Sequence, residues 1–246
     1  MVEPLFFSQI DSDKVVGAKF ILTGPEAKHA VAVRRISVGE KIQISDGVTT
    51  QIKGEVTKTG KDSLEILVQE RFAIEHAKTK LYLVQALAKG DRDELAIQAA
   101  TELGTTGVIP WQAERSVSIW KDEKKNKGVL RWQQIVQEAA KQSLRGLLPI
   151  VENPLSTEEL VGRLRTFDEV FVLDPESQDS ITMAPVFEVS TIAVVVGPEG
   201  GISPAELAAF RSAGFKLVHL GSGILRTSTA GMAAISYLQA KLGVWN

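Results

Sequence analysis

Two glycine-rich loops in the C-terminal half of the chain have the composition of ligand-binding loops. GPEGG spans residues 197–201 after the apolar run TIAVVV, and LGSGILRTSTA spans residues 220–230 after KLVHL. Glycine permits positive φ and lets a ligand approach the backbone closely. A simple tight turn is the alternative, but Ser203, Pro204 and Glu206 already provide the start signal of the next helix. The crowded glycines therefore favour a ligand-binding loop over a simple turn.

Neither loop has the pattern of a common phosphate cradle. Gly221 and Gly223 fit the first two positions of a dinucleotide fingerprint, but Arg226 stands where the third glycine belongs. No Gly-Lys-Ser/Thr sequence follows either loop, which excludes a P-loop. The ligand is accordingly expected to be something other than a bound phosphate chain.

Strands and helices alternate from residue 79 onward, and this order predicts how the loops are positioned. Apolar stretches such as KLYLVQAL, EVFVLD and TIAVVV alternate with helical stretches such as DELAIQAATELG and STAGMAAISYLQAKL. Such alternation indicates a mostly parallel sheet with helices on both faces. In open parallel sheets, ligands bind beyond the carboxyl ends of the strands, where both glycine loops lie. Small residues in the last helix predict close packing, against a neighbouring element or against a second subunit.

The first 72 residues have a different rhythm. Short alternating stretches such as KFILTG and EKIQISDG, punctuated by Gly and Asp, predict a small β-barrel or sandwich. We therefore predict two domains, 1–72 and 73–246. Capping-box signatures predict helix starts at Thr23, Asp91, Ser156 and Ser203, each with Glu three residues later.

Composition excludes several classes of protein. The chain has no cysteine, so disulfides, thiolate metal sites and covalent cysteine catalysis are excluded. Its three histidines, His29, His76 and His219, are far apart in sequence, and no metal site is expected. No apolar run reaches the roughly 20 residues that span a bilayer, and the N-terminus lacks the pattern of a signal peptide. We expect a cytoplasmic protein without membrane contacts.

Positive charge is concentrated in one segment. Residues 111–146 carry eight basic and four acidic side chains, whereas residues 1–72 carry ten of each. A local basic patch can meet phosphate even in a protein with a net charge of −2. A solvated helix face is the alternative interpretation.

Several ordered motifs resemble one known family. GPEGG followed by LGSGILRTSTA is similar to the ribosomal small-subunit methyltransferase E family, the 16S rRNA uracil-N3-methyltransferases of the SPOUT superfamily. HAVAVRRISVGEKI, KGDRDELAIQAATELG, ERSVSIW and RWQQIVQEAAKQSLR resemble its N-terminal and central blocks. The resemblance covers the whole chain.

The resemblance implies a fold, a cofactor and partners. It implies an α/β SPOUT domain whose parallel sheet ends in a C-terminal trefoil knot, preceded by a β-rich, PUA-like RNA-binding barrel. It implies S-adenosyl-L-methionine bound in the knot, a homodimer, and methylation of N3 of a specific uridine in 16S rRNA within the small ribosomal subunit. No metal is implied.

The resemblance also assigns residues. Three loops would hold the cofactor, through Leu173, Gly197, Glu199, Gly200, Gly201, Leu220, Gly221, Ser222, Ile224, Leu225, Thr227, Thr229 and Ala230. The leucines and Ile224 can cover the adenine faces, while Glu199 can accept hydrogen bonds from hydroxyls or face the cationic ligand. Contacts to RNA are assigned to His29, Arg35, Arg115, Gln142 and Arg145.

Some positions depart from the family pattern. Many relatives have Leu-Arg where this chain has Arg34-Arg35, Lys in place of Ala99, and Glu in place of Ser228. A carboxylate base at position 228 is therefore not available. Arg226 becomes the candidate catalytic residue, stabilising the negative charge that develops on the uracil.

Two other functions stay open at this point. A related SPOUT enzyme would methylate a ribose 2′-oxygen or a guanine. A non-catalytic RNA-binding assembly factor would bind RNA without a cofactor and would leave both glycine loops unexplained.

Overall fold

The computed structural model describes residues 2–184, 186 and 189–245. The chain divides into two compact units, one formed by Met1–His76 with Ala140–Leu148 and the other by Ala77–Ala139 with Pro149–Asn246. The first unit thus includes residues 140–148 in addition to the N-terminal segment. The division into domains 1–72 and 73–246 stays a prediction. None of the described helices combines the length and apolar character required to cross a membrane.

The first unit is built on a five-stranded sheet. Its strands are β1 (Leu5–Phe7), β2 (Lys19–Thr23), β3 (Lys41–Ser45), β4 (Thr50–Thr59) and β5 (Ser63–Ala73), in the spatial order β1-β3-β4-β5-β2. β1 runs parallel to β3, and the other pairs are antiparallel. Alternate apolar side chains of these strands form one buried core. The predicted β-rich N-terminal unit is confirmed.

A short helix, α1 (Gly24–Lys28), and a π-helical turn, His29–Val33, lie between β2 and β3. The predicted capping box at Thr23 is wrong, because the Thr23 side chain makes no capping hydrogen bond. Glu26 instead forms a buried ion pair with Lys141 at 3.1 Å and accepts the N–H of Phe7. A second tie to residues 140–148 runs from Ser45 Oγ to the Gly146 carbonyl, at 2.6 Å.

The second unit contains a seven-stranded parallel sheet, as predicted. Its strands are β6 (Lys80–Ala86), β7 (Gly107–Gln112), β8 (Ile150–Val151), β9 (Leu155–Ser156), β10 (Glu169–Leu173), β11 (Thr191–Val196) and β12 (Lys216–Val218). The order is β12-β10-β11-β6-β7-β8, and β9 also pairs with β7. Because all pairs are parallel, the carboxyl ends of these strands meet at one edge of the sheet.

Five α-helices of the described chain lie in sequence between or after the strands of this sheet. They are α2 (Arg92–Glu102), α3 (Glu123–Gln142), α4 (Thr157–Leu164), α5 (Pro204–Ser212) and α6 (Thr227–Lys241), with a 3₁₀ turn at Ile181–Met183. On one face, Leu160 of α4 and Phe210 of α5 join the buried strand residues in a single core. α2 and α6 pack against each other and against β6.

The small residues of α6 allow the helix to lie close to its own sheet. A Cβ atom at Gly231 would stand only 2.9 Å from Leu83 Cδ1 of β6 and 3.3 Å from Val196 Cγ2 of β11. Any larger side chain at this position would push the helix away from the strands. Close packing of the last helix is thus observed within the chain itself. The trefoil knot and the second subunit that the resemblance implies stay predictions.

Candidate functional site

Three neighbouring strands, β12, β10 and β11, end beside one another and lead into the loops that the sequence singled out. β10 ends at Leu173, β11 at Val196 before GPEGG, and β12 at Val218 before the second glycine loop. β10 lies between the other two, so the three loops are brought together at the carboxyl edge of the sheet. This is the place where parallel sheets bind ligands.

A cavity of about 760 Å³ opens between these loops. Its volume is within the range of pockets for cofactor-sized molecules. Twelve of the predicted site residues line it: Leu173, Gly197, Glu199, Gly200, Gly201, Leu220, Ile224, Leu225, Arg226, Thr227, Ala230 and Arg115. Ile224 is 82% exposed, although it is a large apolar side chain on the cavity wall. Such a side chain is suited to cover the face of a flat ligand.

Glycines leave the cavity wall open to close approach. A Cβ atom at Gly201 or Gly223 would have no neighbour within 4 Å. Gly201 has a φ of +73°, so any other residue there would be strained. Gly200 differs, because its Cβ would stand 3.2 Å from Arg115 Cβ, and its carbonyl accepts a hydrogen bond from Arg115 Nη1 at 3.1 Å. The loop thus serves both as a wall and as a contact for Arg115.

Glu199 is held by groups from the loop after β6 and from α2. Its Oε1 accepts the backbone N–H of Lys89 at 3.0 Å and Nη1 of Arg92 at 2.9 Å. Burial raises the pKa of Glu199, but hydrogen bonds from backbone N–H groups and from Arg92 outweigh it, so the net pKa is lowered. Glu199 is therefore a fixed negative charge on the cavity wall.

Glu206 fixes the shape of the first glycine loop from behind. It completes the predicted capping box with Ser203, and its Oε1 also accepts the N–H of Glu114 and the hydroxyl of Thr157, both at 2.8 Å. Only 4% of Glu206 is exposed. One buried carboxylate therefore ties GPEGG to the loop that carries Arg115.

Arg226 is exposed on the cavity wall as the N-cap residue of α6. Its backbone carbonyl accepts the N–H groups of Thr229 and Ala230, which fixes the main chain. Within the described part of the chain, its guanidinium makes no hydrogen bond. A structural arginine that ties loops together would show such bonds, so this side chain is available to a ligand.

Three predicted cofactor residues lie outside the cavity lining. The N–H of Gly221 is bonded to His219 Nδ1 at 2.9 Å, and the hydroxyl of Thr229 donates to the Arg226 carbonyl at 3.1 Å. Ser222 is exposed in the same loop. Their assignment to the cofactor stays a prediction.

Several lining residues were missed in the sequence, among them Asp174 and Arg92. Asp174 follows β10 directly, is 7% exposed and lies 3.9 Å from Arg211. Arg92 begins α2 and pairs with Glu199. The strand-end rule that singled out the glycine loops would have found Asp174, since it follows the last apolar residue of EVFVLD. Arg92 had no comparable signal.

Asp93 is buried at the start of α2 and has an altered proton affinity. Burial raises the pKa of Asp93 to about 6, against smaller opposite effects of the N–H groups of Ala88 and Glu94. The N–H of Ala88 lies 3.3 Å from Asp93 Oδ2, which ties the loop after β6 to α2. This is the loop whose next N–H, from Lys89, binds Glu199.

The residues assigned to RNA belong to both units. His29 is half-buried, with its ring edge-on to Phe6 at 6.5 Å, and Arg35 is exposed with a φ of +54°. Gln142 is exposed at the end of α3, whereas Arg145 is half-buried, and burial lowers the pKa of its guanidinium to about 10. Arg115 is exposed at the cavity of the second unit. Their role in RNA binding stays a prediction.

No group of three or more His, Cys, Asp or Glu side chains suited to a metal ion occurs among residues 2–184, 186 and 189–245.

Comparisons with known proteins agree with this geometry. The family model described as an RNA methyltransferase domain matches residues 75–239, and the model of an RNA methyltransferase PUA domain matches residues 22–69. The chain is 38% identical to ribosomal RNA small subunit methyltransferase E of Mycobacterium bovis, over 100% of this chain and 95% of that protein. It is 34% identical to the Bacillus subtilis protein of the same name, over 94% of each.

A solved structure shares the whole fold. The crystal structure of ribosomal RNA small subunit methyltransferase E from Neisseria gonorrhoeae bound to S-adenosyl methionine has a TM-score of 0.88 and 27% identity, and covers 98% of each chain. The parallel sheet, its loop cavity and the matched models define an RNA methyltransferase domain preceded by a PUA domain. The chain belongs to the ribosomal RNA small subunit methyltransferase E family.

Proposed function

We propose that this chain is an S-adenosylmethionine-dependent methyltransferase that methylates N3 of a specific uridine in 16S rRNA of the small ribosomal subunit. The observation that carries the proposal is the glycine-walled cavity at the carboxyl ends of β10, β11 and β12. Full-length relatives of the chain are named as small-subunit rRNA methyltransferases, and a similar structure is bound to S-adenosyl methionine. A cytoplasmic location is part of the proposal, because ribosomal subunits are the proposed substrate.

The cavity has the properties that this cofactor requires. A ligand can approach the backbone of the glycine loops closely, because Gly201 and Gly223 line the cavity and place no side chain in the way. Leu173, Leu220, Ile224 and Leu225 supply apolar faces for the adenine. Asp174 and Glu199 place two carboxylates on the wall, near Arg211 and Arg92 respectively, where they would face a cationic ligand.

The proposed reaction is an in-line methyl transfer. S-adenosylmethionine supplies a methyl group bound to a positively charged sulfur. The uracil N3 would give up its proton to solvent and form the new N–C bond as the S–C bond breaks, with S-adenosylhomocysteine as the leaving group. Arg226 would donate hydrogen bonds to the uracil oxygens that carry the negative charge, a form of stabilisation that acts mainly in the transition state. Ser228, two residues after Arg226, is 6% exposed, and its hydroxyl replaces the carboxylate that many relatives have at this position.

A methyl-transfer assay tests this proposal. Assembled small subunits or late assembly particles should be methylated much better than naked rRNA. The chain has a net charge of −2, and its positive excess is confined to residues 111–146, so few contacts with phosphate are available and recognition must rely on shape and on an unstacked base. Nucleoside mass spectrometry should find N3-methyluridine at a single position.

Three outcomes would contradict parts of the proposal. Equal rates on naked rRNA and on subunits would contradict the substrate. A ribose-methylated or guanine-methylated product would favour a related SPOUT activity. RNA binding without binding of S-adenosylhomocysteine would favour a non-catalytic assembly factor.

We also propose that the chain forms a homodimer through α6. Ala233 and Tyr237 of this helix are half-buried within one chain, whereas Gly231 and Ala234 are already packed on the sheet. Ala233→Arg would place a charge in the proposed interface and should convert the dimer to a monomer. Light scattering at micromolar concentration measures this change, and a wild-type monomer would contradict the proposal.

A further inference from the structure

A chain of hydrogen bonds joins two of the three cavity loops to the neighbouring strand β6. Thr227, at the start of α6, donates its hydroxyl to the carbonyl of Gly197 at 2.8 Å. Gln85, in β6, donates from Nε2 to Thr227 Oγ1 at 2.9 Å and to the carbonyl of Ala86 at 3.0 Å. Gln85 is fully buried, and Thr227 is 7% exposed.

The chemistry of the partner atoms fixes which atom donates and which accepts in each of these hydrogen bonds. The carbonyl of Ala86 can only accept a hydrogen bond, so the side-chain atom of Gln85 that faces it must be the amide nitrogen. The same nitrogen faces Thr227, so the threonine oxygen accepts there and directs its own proton to Gly197. Each bond therefore orients the next, and buried hydrogen bonds in series strengthen one another.

The amide of Gln85 has one buried oxygen that is not hydrogen-bonded within the described structure. Its Oε1 is buried and has no hydrogen-bond partner among the residues that the structure describes. A buried unpaired carbonyl costs free energy, and an apolar side chain of similar shape would avoid that cost. What the glutamine supplies at this position is therefore its two donated hydrogen bonds, to Ala86 and to Thr227.

We infer that Gln85 is a positioning residue of the methyltransferase site. Through Thr227 it holds the loop that begins at Gly197 against the loop that ends at Arg226, and so sets the spacing of two cofactor loops. Thr227 directly follows Arg226, so the same bonds fix where that side chain leaves the backbone. This inference rests on the function proposed above.

The test compares variants of the full-length chain by calorimetry with S-adenosylhomocysteine and by thermal melting. Gln85→Met keeps the volume and removes the amide. It should lower cofactor affinity about tenfold, the order expected when a hydrogen bond that orders a binding loop is lost. Its melting temperature should change little, because removal of the unpaired Oε1 offsets the loss of the two hydrogen bonds that Nε2 donates.

Thr227 provides a second arm that keeps the test valid if Gln85→Met does not fold. Thr227→Val removes the hydroxyl and should also lower affinity about tenfold, whereas Thr227→Ser keeps the hydroxyl and should bind like the wild type. The double variant Gln85→Met/Thr227→Val should lose no more cofactor affinity than the weaker-binding single variant. Both changes interrupt the same series of hydrogen bonds, so their effects should not add.

A matched control exists at Gln239 of α6. It is also a buried glutamine, and its Nε2 donates to the Leu103 carbonyl at 2.8 Å, which ties α6 to the end of α2 without contact to the loops. Gln239→Met should lower the melting temperature and leave cofactor affinity unchanged. Gln85→Met should show the opposite pattern, with lower cofactor affinity and little change in melting temperature. This difference would distinguish a residue that positions the loops from one that only stabilises the fold.

The results separate this inference from the function on which it rests. Wild-type binding with a tenfold weaker Gln85→Met supports it, as does a Thr227→Val loss that Thr227→Ser restores. Wild-type binding with unchanged affinity in Gln85→Met or Thr227→Val overturns the inference and leaves the proposed function intact. A wild-type chain that binds no S-adenosylhomocysteine overturns both.

Discussion

Arg226→Ala should lower the turnover of small-subunit methylation by about 10²–10³-fold, the usual effect of removing one donor that stabilises transition-state charge. The guanidinium lines the cavity and makes no hydrogen bond within the described residues, so its loss should not loosen the loops. Affinity for S-adenosylhomocysteine should change less than turnover. Single-turnover kinetics with saturating cofactor and subunits measures the first quantity, and calorimetry measures the second.

Two further variants sharpen this experiment. Arg226→Lys keeps the charge but not the planar fork of donors, so its turnover should lie between wild type and Arg226→Ala. Arg165→Ala removes an exposed arginine just after α4 and should leave both quantities unchanged. If turnover of Arg226→Ala stays near wild type, the proposed charge stabilisation by this residue is wrong.

The sequence signature of a capping box was followed by a real capping box at only two of the four predicted helix starts. It formed where the N-cap backbone is extended and the glutamate reaches back to the N-cap N–H. Ser156 and Ser203 form complete capping boxes, and both have extended φ and ψ at the N-cap. Asp91 has a φ of −103° and a ψ of 12° and makes no side-chain cap, while its predicted partner Glu94 pairs with Arg131 of α3 instead. A glutamate whose carboxylate is paired in this way with a residue distant in sequence does not complete the local capping box. A single sequence does not show which distant residue will be its partner.

The site shows the same division between local and distant information. Glycine loops at strand ends located most of the cavity, because positive φ and close approach are properties of the residue itself. Glu206 was recognised as a capping residue, yet its bonds to Glu114 and Thr157 bridge 92 and 49 positions of sequence. The grouping of residues 140–148 with the first unit is equally distant. Such contacts follow from the topology of the whole chain rather than from any local pattern.

The RNA contacts assigned to the two units lead to the last prediction. Arg35 belongs to the first unit and Arg115 to the second, and both are exposed. Arg145 is a poorer probe, because burial lowers the pKa of its guanidinium to about 10 and a charge reversal there would disturb the unit. Arg35 also has a φ of +54°, in the left-handed region that non-glycine residues adopt infrequently.

Arg35→Glu/Arg115→Glu should weaken binding to small subunits by about 10²-fold, from roughly tenfold for each reversed phosphate contact. The two effects should combine, because the residues share no hydrogen-bond partner in the described structure. The double variant should also show a shallower dependence of affinity on salt, since fewer counterions are released on binding. Cofactor affinity should change little, because the bond from Arg115 to Gly200 is exposed to solvent.

The matched control is Lys61→Glu/Arg165→Glu, which reverses one exposed charge in each unit and changes the net charge by the same amount. Filter binding or light scattering with purified subunits at several salt concentrations measures both pairs. Equal weakening by the control would assign the effect to net charge rather than to these two sites. An unchanged salt dependence in Arg35→Glu/Arg115→Glu would show that neither arginine meets phosphate, and recognition would then depend on the shape of the subunit and on the unstacked base alone.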